Sequence, residues 1–404
     1  MNSNTTNASK ASRIKRLMGQ VFKRFHAQAV AYTAMIGLLA ACTTTPPAGS
    51  PEAGGTGAPA AGPSGTVTNR AHSRWVATTF AELPGWDSDR QAELWGPFLR
   101  SCERPMPGWE SICAQARAMP APANDATARA WFQQRLQPWR IETQDGGTSG
   151  LATGYFEPLV PASRLQRGAF QIPLYGLPFD LATRRPYWTR QQLDTLPIAQ
   201  TSLKGREIAF VADPLDALVL QIQGSGRLQI AEPDGTSRLA RVAFAGHNEQ
   251  PYKSVGRWLV DQGELKLEQA SWPTIKAWAQ MYPQRLNEMM WANPRVVFFR
   301  EEPLPNPDLG PRGAQGVPLT PGRSVAVDRD SVPYGTPLWL DTTEPLSNVP
   351  MRRGVMAQDT GAAITGAVRA DFFWGWGPQA EAQAGRMKQP LRLWALWPVG
   401  ERVR

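Results

Sequence analysis

The densest chemistry in the sequence lies between Ala357 and Gly377, AQDTGAAITGAVRADFFWGWG. Two carboxylates, Asp359 and Asp371, stand there among small and aromatic residues. Phe372, Phe373, Trp374 and Trp376 follow Asp371. A carboxyl beside apolar surface loses hydration of its charged form. Its pKa rises, which suits a general acid near neutral pH. The upstream segment Val325 to Leu340, VAVDRDSVPYGTPLWL, adds Asp328 and Asp330. The same spacing also fits an architectural reading, in which Asp359 and Asp328 bond turn backbones and Asp371 caps a strand.

Three further segments are candidates for binding. Leu220 to Leu228, LQIQGSGRL, reads as an alternating strand running into Gly224-Ser225-Gly226. Gln221 and Gln223 then share a face, and the glycines let a ligand approach the backbone; a plain hairpin corner is the alternative. The spelling is neither a GxSxG nucleophile elbow nor a P-loop. Ala245 to Arg257, AGHNEQPYKSVGR, can bind a polymer through Asn248, Tyr252 and Lys253, or simply cap a helix. In Thr153 to Pro158, TGYFEP, Tyr155 can stack on a sugar or merely pack. Only three His and three Cys occur, without a CxxC. His26 lies in a basic leader and His72 at a linker edge, so a zinc site or a Ser-His-Asp triad is poorly supported, and no metal or cofactor is expected.

The elements that must carry these residues divide in two. Residues 71 to 145 look helical. Asp87 to Leu99 places Leu94, Trp95, Phe98 and Leu99 at helical spacing, and Asn124 or Asp125 can cap a helix that Pro138 stops. From residue 150 on, short β-like runs dominate: Phe170–Tyr175, Ala217–Gln223, Arg238–Phe244, Val296–Arg300, Ser324–Val327, Leu338–Leu340 and Arg392–Leu396. Turn-rich segments separate them, as in β-barrels. Helices are expected at about 251–262, 272–281 and 283–291, and a Pro/Gly-rich connector at 303–322. With 42% hydrophobic and 19% charged residues the bulk is a folded globular chain. Sixteen Trp are a surplus that suits either core or stacking on sugar rings or bases.

The front end reads as an export signal. A basic region at 10–25 precedes an apolar stretch at 29–41, shorter than the about 18 residues a membrane span needs. Leu39-Ala40-Ala41-Cys42 resembles a bacterial lipoprotein cleavage box, which would leave Cys42 as the acylated first residue; an ordinary signal peptide with an incidental Cys is the alternative. By resemblance to lipoprotein sorting in Gram-negative bacteria, Thr43 in place of Asp implies the outer membrane. Residues 43–70 are Pro/Gly/Ala/Ser/Thr-rich and read as a tether with a span of about 30 Å. The formal charge is +9, but Lys10, Arg13, Lys15, Arg16, Lys23 and Arg24 sit in the first 41 residues with no acid, leaving +3 for the rest. That balance is no nucleic-acid footprint. Export also puts Cys102 and Cys113 in an oxidising compartment, where they either pair or remain buried thiols.

Taken in order, the cleavage box, TGYFEP, QIQGSGRL, GHNEQPYKSVGR, NPRVVFF and AVD…AQDTGAAITG…ADFFWG…AGRMKQ resemble the membrane-bound lytic murein transglycosylase A family over roughly residues 75 to 400. Ala362 stands where the family often has Gly. The resemblance implies a mainly β (α+β) fold with flanking helices. A double-psi β-barrel would comprise 71–160 and 303–404, with a second β-barrel domain inserted at 161–302. The preceding parts would be a signal peptide, 1–41, and a lipidated Cys with linker, 42–70. A groove between the two barrels would bind a peptidoglycan strand. Asp371 would be the catalytic acid, with Asp359 and Asp328 in support, and Thr153, Tyr155, Gln223, Ser225, Gly226 and Tyr252 would contact sugars. The implied enzyme is a lyase of the periplasm, anchored by lipid at Cys42 to the outer membrane, monomeric and cofactor-free. It would cleave the β-1,4 bond between N-acetylmuramic acid and N-acetylglucosamine and close a 1,6-anhydro ring, serving cell-wall turnover. Two rivals remain. Asp359-Thr360-Gly361 is the aspartic-peptidase tripeptide, though such enzymes need two carboxylates sharing a proton and one copy is present. A non-catalytic glycan-binding barrel would not need Asp371.

Overall fold

The computed structural model describes Ser64–Val403. Cys42, the apolar stretch before it and most of the tether lie outside the described residues. Among those described, no helix is long and apolar enough to cross a membrane.

The described residues open with the strands β1 (Val67–Asn69), β2 (Arg74–Ala77), β3 (Leu136–Glu142) and β4 (Gly150–Glu157). Then β5 (Leu159–Ser163), β6 (Ile172–Tyr175), β7 (Glu207–Val211), β8 (Ser225–Ala231), β9 (Ser237–His247) and β10 (Val297–Pro303) form a six-stranded sheet of their own, in the order β10-β9-β8-β5-β7-β6. The chain returns with β11 (Ser324–Val327), β12 (Pro337–Thr343), β13 (Pro350–Asp359), β14 (Arg369–Trp376) and β15 (Lys388–Pro398). These join the first four strands in the order β1-β2-β3-β15-β12-β13-β11-β14-β4. A further antiparallel pairing of β15 with β4 closes the last six of that order into a ring. Within it, β11–β13 and β14–β4 run parallel. The expected class, mainly β with flanking helices and a barrel carrying an inserted second β unit, is the one the chain adopts.

Several elements differ from the sequence reading. Ala217–Gln223 is not a strand but belongs to the helix Pro214–Gln223. The Asp213 carboxylate accepts from Leu215 N at 2.8 Å, Pro214 opens the first turn, and Gly224 ends the helix in the left-handed region (φ 77°). Leu215, Ala217, Leu218, Val219 and Leu220 are all buried, so the run lacks the polar face that betrays helical periodicity. The helix expected from Asp87 starts only at Ala92, whose N–H is bonded by Asp125 from 33 positions away (2.9 Å). Asn124 caps the helix Asp125–Arg135 as expected, yet Pro138 does not stop it; the helix has already given way to β3.

Most Trp serve as core. Trp75, Trp86, Trp95, Trp109, Trp131, Trp139, Trp339, Trp394 and Trp397 are buried between the N-terminal helices and the barrel. Several meet edge-on, as with Trp95 and Trp131 at 4.8 Å and 87°, the geometry that ring quadrupoles favour. The disulfide Cys102–Cys113 joins two of those helices beneath this layer.

The inserted sheet is fastened to the barrel at Glu157, the last residue of β4 and fully buried. Arg227 on β8 donates to its Oε2 (2.8 Å) and Arg241 on β9 to its Oε1 (2.5 Å). Both guanidiniums also bond main-chain carbonyls of the returning connector, at Pro307 and Leu309. Arg227 lies 3.7 Å from the ring of Trp376 on β14. Removing one partner of a buried charge cluster leaves the others uncompensated. Glu157→Gln is therefore expected to lower stability by about 3–5 kcal/mol in denaturant unfolding. A loss below about 1 kcal/mol, the level of an exposed pair, would show that the cluster is not the fastening.

Candidate active site

Thr153 and Tyr155 lie two apart on β4 and so share a face. Strand pairing extends a row from Thr153: it faces Asp371 on β14, Asp371 faces Ala326 on β11, and Ala326 faces Asp359 on β13. A register shift at Val325/Ala326 makes the last pairing possible. Such a bulge re-aims side chains; here it brings Asp359 into the row and turns Gln358 inward, where its Oε1 accepts from Ser324 Oγ at 2.6 Å. Two strand spacings separate the carboxylates, about 10 Å at the backbone.

The two carboxyls are bonded differently. Thr153 Oγ1 donates to Asp371 Oδ1 at 2.6 Å, and Arg369 Nη2 donates to Thr153 Oγ1 at 2.9 Å. Among the described residues Asp371 Oδ2 has no hydrogen-bond partner. Burial lifts the Asp371 pKa above its ordinary value, against the opposing pull of the Thr153 bond and the Arg369 charge. Asp359 has both oxygens engaged: Oδ1 accepts from Ala314 N and Oδ2 from the Tyr155 hydroxyl, each at 2.9 Å. Burial pushes its pKa up to about 6, and the Asp371 charge adds to the rise. The Tyr155 hydroxyl is raised too, by burial and then by the two carboxylates. Its ring packs on Phe373 at 5.1 Å.

Asp328 does a different job. Burial would raise it, but Gly366 N (2.7 Å), His72 Nδ1 (2.8 Å) and Asp330 N (3.0 Å) together hold its carboxyl below the ordinary value. It thereby ties the end of β11 to the loop between Asp359 and β14. His72 belongs to the folded part, contrary to the linker-edge reading, because its ring finds this carboxylate. Ligating atoms of His72, Asp328 and Asp330 lie within 4.8 Å of one another. With three N–H donors already on Asp328, that cluster is poorly suited to a cation.

The remaining sequence candidates scatter. The Thr153 hydroxyl is occupied by Asp371 and Arg369. Gln223 ends a helix, and its Oε1 accepts from Phe156 N at 3.1 Å, fastening β4 beside Tyr155. Ser225 is half-buried at the start of β8. Gly226 is buried, and a Cβ there would come within 2.0 Å of Leu220 Cδ2. Its missing side chain makes room for the chain's own Leu220. Asn248 is fully buried and organises a turn, accepting from Val296 N and donating to the carbonyls of Trp188 and Pro294. Tyr252 and Lys253 remain exposed ahead of the helix Val255–Asp261. Arg369 and Ala314 escaped the sequence reading. Arg369 was detectable, two residues before Asp371 and thus on its strand face; Ala314 acts through its main chain and leaves no side-chain signal.

Residues 151–300 match the family model of the MltA specific insert domain, and residues 323–397 that of the 3D domain. Membrane-bound lytic murein transglycosylase A of Escherichia coli (strain K12) is 30% identical over 267 residues, 65% of this chain and 69% of that protein. The crystal structure of MltA from Neisseria gonorrhoeae shares 32% identity and a TM-score of 0.73, covering 85% of this chain and 98% of the other. The chain belongs to the membrane-bound lytic murein transglycosylase A family. The lytic transglycosylase LtgG of Burkholderia pseudomallei is similar at 42% identity and TM-score 0.58, over 83% and 99% of the two chains. A structure of Escherichia coli MltA with bound chitohexaose is similar at 26% and 0.58, over 79% and 89%.

In this family member the half-buried Asp359 carries a testable signature. Its pKa is 3.8 for a free side chain and about 6 in the fold. The folded state holds the proton more tightly, so this group's favourable contribution is complete at low pH and is lost as pH rises toward about 6. Asp359→Asn has no proton to lose. The melting temperature of the variant relative to wild type is expected to climb between about pH 4 and pH 7. A gap that stays constant with pH would contradict the raised pKa.

Proposed function

We propose that this chain cleaves the β-1,4 bond between N-acetylmuramic acid and N-acetylglucosamine in peptidoglycan by lytic transglycosylation, with Asp371 as its single acid and base. The observation that carries the assignment is the unbonded Oδ2 of Asp371, beside an Asp359 whose two oxygens both accept from the chain. A protonated Asp371, favoured by burial, gives its proton to the glycosidic oxygen. The carboxylate so formed takes the proton of the muramyl C6 hydroxyl, and that oxygen closes on C1 of the same sugar. Retaining and inverting glycosidases need a second carboxylate as nucleophile or base. Attack from within the substrate has a high effective molarity and dispenses with it. Asp359 keeps Tyr155 and the Ala314 turn in place. Family membership and the chitohexaose held by the Escherichia coli relative support a glycan strand as the substrate.

The same proposal takes 71–160 with 303–404 as the catalytic unit and 161–302 as the insert. The strand would lie in a groove between them, with Ser225, the Gln223 amide and Tyr252 as contacts from the insert side. A lipid on Cys42 would hold a monomer at the periplasmic face of the outer membrane, within reach of the wall. Purified protein from residue 43 on, incubated with murein sacculi, is expected to release muropeptides with anhydro ends, lighter by one water than hydrolysed ones. Asp371→Asn should lower the rate by about 10³-fold. Reducing muramyl ends would replace the transglycosylase by a muramidase. Full activity in Asp371→Asn would remove Asp371 from the role, and no release at all would favour the glycan-binding rival.

A further inference from the structure

Arg369 donates from Nη2 into Thr153 Oγ1 at 2.9 Å, and the same oxygen lies 2.6 Å from Asp371 Oδ1. A threonine hydroxyl has one proton. The guanidinium has no acceptor capacity, so it occupies a lone pair of the hydroxyl oxygen and turns the single proton toward Asp371. Oδ1 is thereby a permanent acceptor. Whenever Asp371 is protonated, the proton sits on Oδ2, the oxygen without a partner among the described residues. The guanidinium is itself held in place, its Nη1 donating to Ala370 O at 2.7 Å and Leu151 O at 3.3 Å. Both carbonyls belong to the two strands that present Asp371 and Thr153, so the orientation is built into the β14–β4 pairing.

We propose that Arg369, acting through Thr153, is a positioning residue that assigns the transferable proton of Asp371 to Oδ2 and sets how readily it leaves. The inference rests on Asp371 being the acid. No atom is consumed: the proton on Oδ2 goes to the glycosidic oxygen, Oδ2 then receives the C6 hydroxyl proton, and Oδ1 keeps its bond from Thr153 throughout. The bond and the nearby positive charge stabilise the carboxylate more than the acid, so they favour proton release and oppose the lift from burial. Other ionisable groups around Asp371 are Asp359 on β13, the Tyr155 hydroxyl on β4, and exposed Lys388 on β15, which pairs with Thr153. Among the described residues, none of their side chains bonds the Thr153 hydroxyl.

The test is the pH profile of kcat/KM on murein sacculi for purified wild type, Thr153→Val, Thr153→Ser and Arg369→Met. Activity requires the protonated acid, so the alkaline limb reports the Asp371 pKa in the free enzyme. Removing the stabilisation of the carboxylate raises that pKa. Thr153→Val and Arg369→Met are expected to shift the limb upward by about one pH unit, and Thr153→Ser, which keeps the hydroxyl, to restore the wild-type limb. Valine is isosteric with threonine, and melting curves identify any variant that fails to fold. Limbs unmoved in folded Thr153→Val and Arg369→Met, with only a uniform drop in rate, would overturn the inference and leave both residues architectural. If Asp371→Asn stays active, the acid assignment itself falls; if it is inactive while the limbs do not move, only the role of Arg369 falls.

Discussion

Glu157 sits at the end of β4, out of contact with water, with its two carboxylate oxygens shared between Arg227 and Arg241. Everything the site needs runs through that strand. One residue further the chain leaves for the inserted sheet, and four residues earlier it presents Thr153 to Asp371. A buried carboxylate flanked by two guanidiniums tolerates little displacement, because any gap leaves a charge without a partner in a medium that solvates it poorly. The arginines also reach the carbonyls of Pro307 and Leu309, so departure and return of the chain are held by one cluster. β4 further closes the barrel by pairing with both β14 and β15. The row from Thr153 through Asp371 to Asp359 is thus laid across the seam where the ring shuts.

Close packing keeps that seam free of slack. A Cβ on Gly154 would come within 2.7 Å of Trp374 Nε1 and 2.9 Å of Ala384 Cα, so glycine there lets the helix Gly377–Ala384 lie against β4. Gly150 is in the same position opposite the Val368 carbonyl. Behind the barrel, the tryptophan layer and the Cys102–Cys113 disulfide fix the helices that carry Ser101. Its hydroxyl accepts from Gln358, the residue beside Asp359, at 2.8 Å. The polar row is supported from one side by close backbone contact and from the other by a buried amide network.

The two acidic side chains of the row show how environment divides like groups. Both rise through burial. Asp359 has both oxygens bonded, to Ala314 N and to the Tyr155 hydroxyl, whereas Asp371 is given one donor and one open oxygen. A carboxyl whose oxygens are all occupied can orient its neighbours but cannot exchange protons with a substrate. The difference lies in bond count, not in residue type.

Legibility followed the range of the forces involved. Asn124 as a cap, the helix from Trp272 and the strand Ser324–Val327 depend on neighbours within a few positions, and they were readable. The helix Pro214–Gln223 was not, since a segment buried on every side loses the polar–apolar alternation that distinguishes the two periods. Motif order was enough to point to the family and to single out Asp359 and Asp371. By itself the sequence determined the local caps, the apolar periods and the residue types able to do acid–base chemistry. Only the tertiary structure decided which of those residues met. The bulge opposite Ala326 put Asp359, not Gln358, in the row; strand pairing gave the Thr153 hydroxyl to Asp371; close packing made Gly226 a seat for Leu220. Those outcomes depend on register and on contacts between residues up to 218 positions apart, and no local preference encodes them.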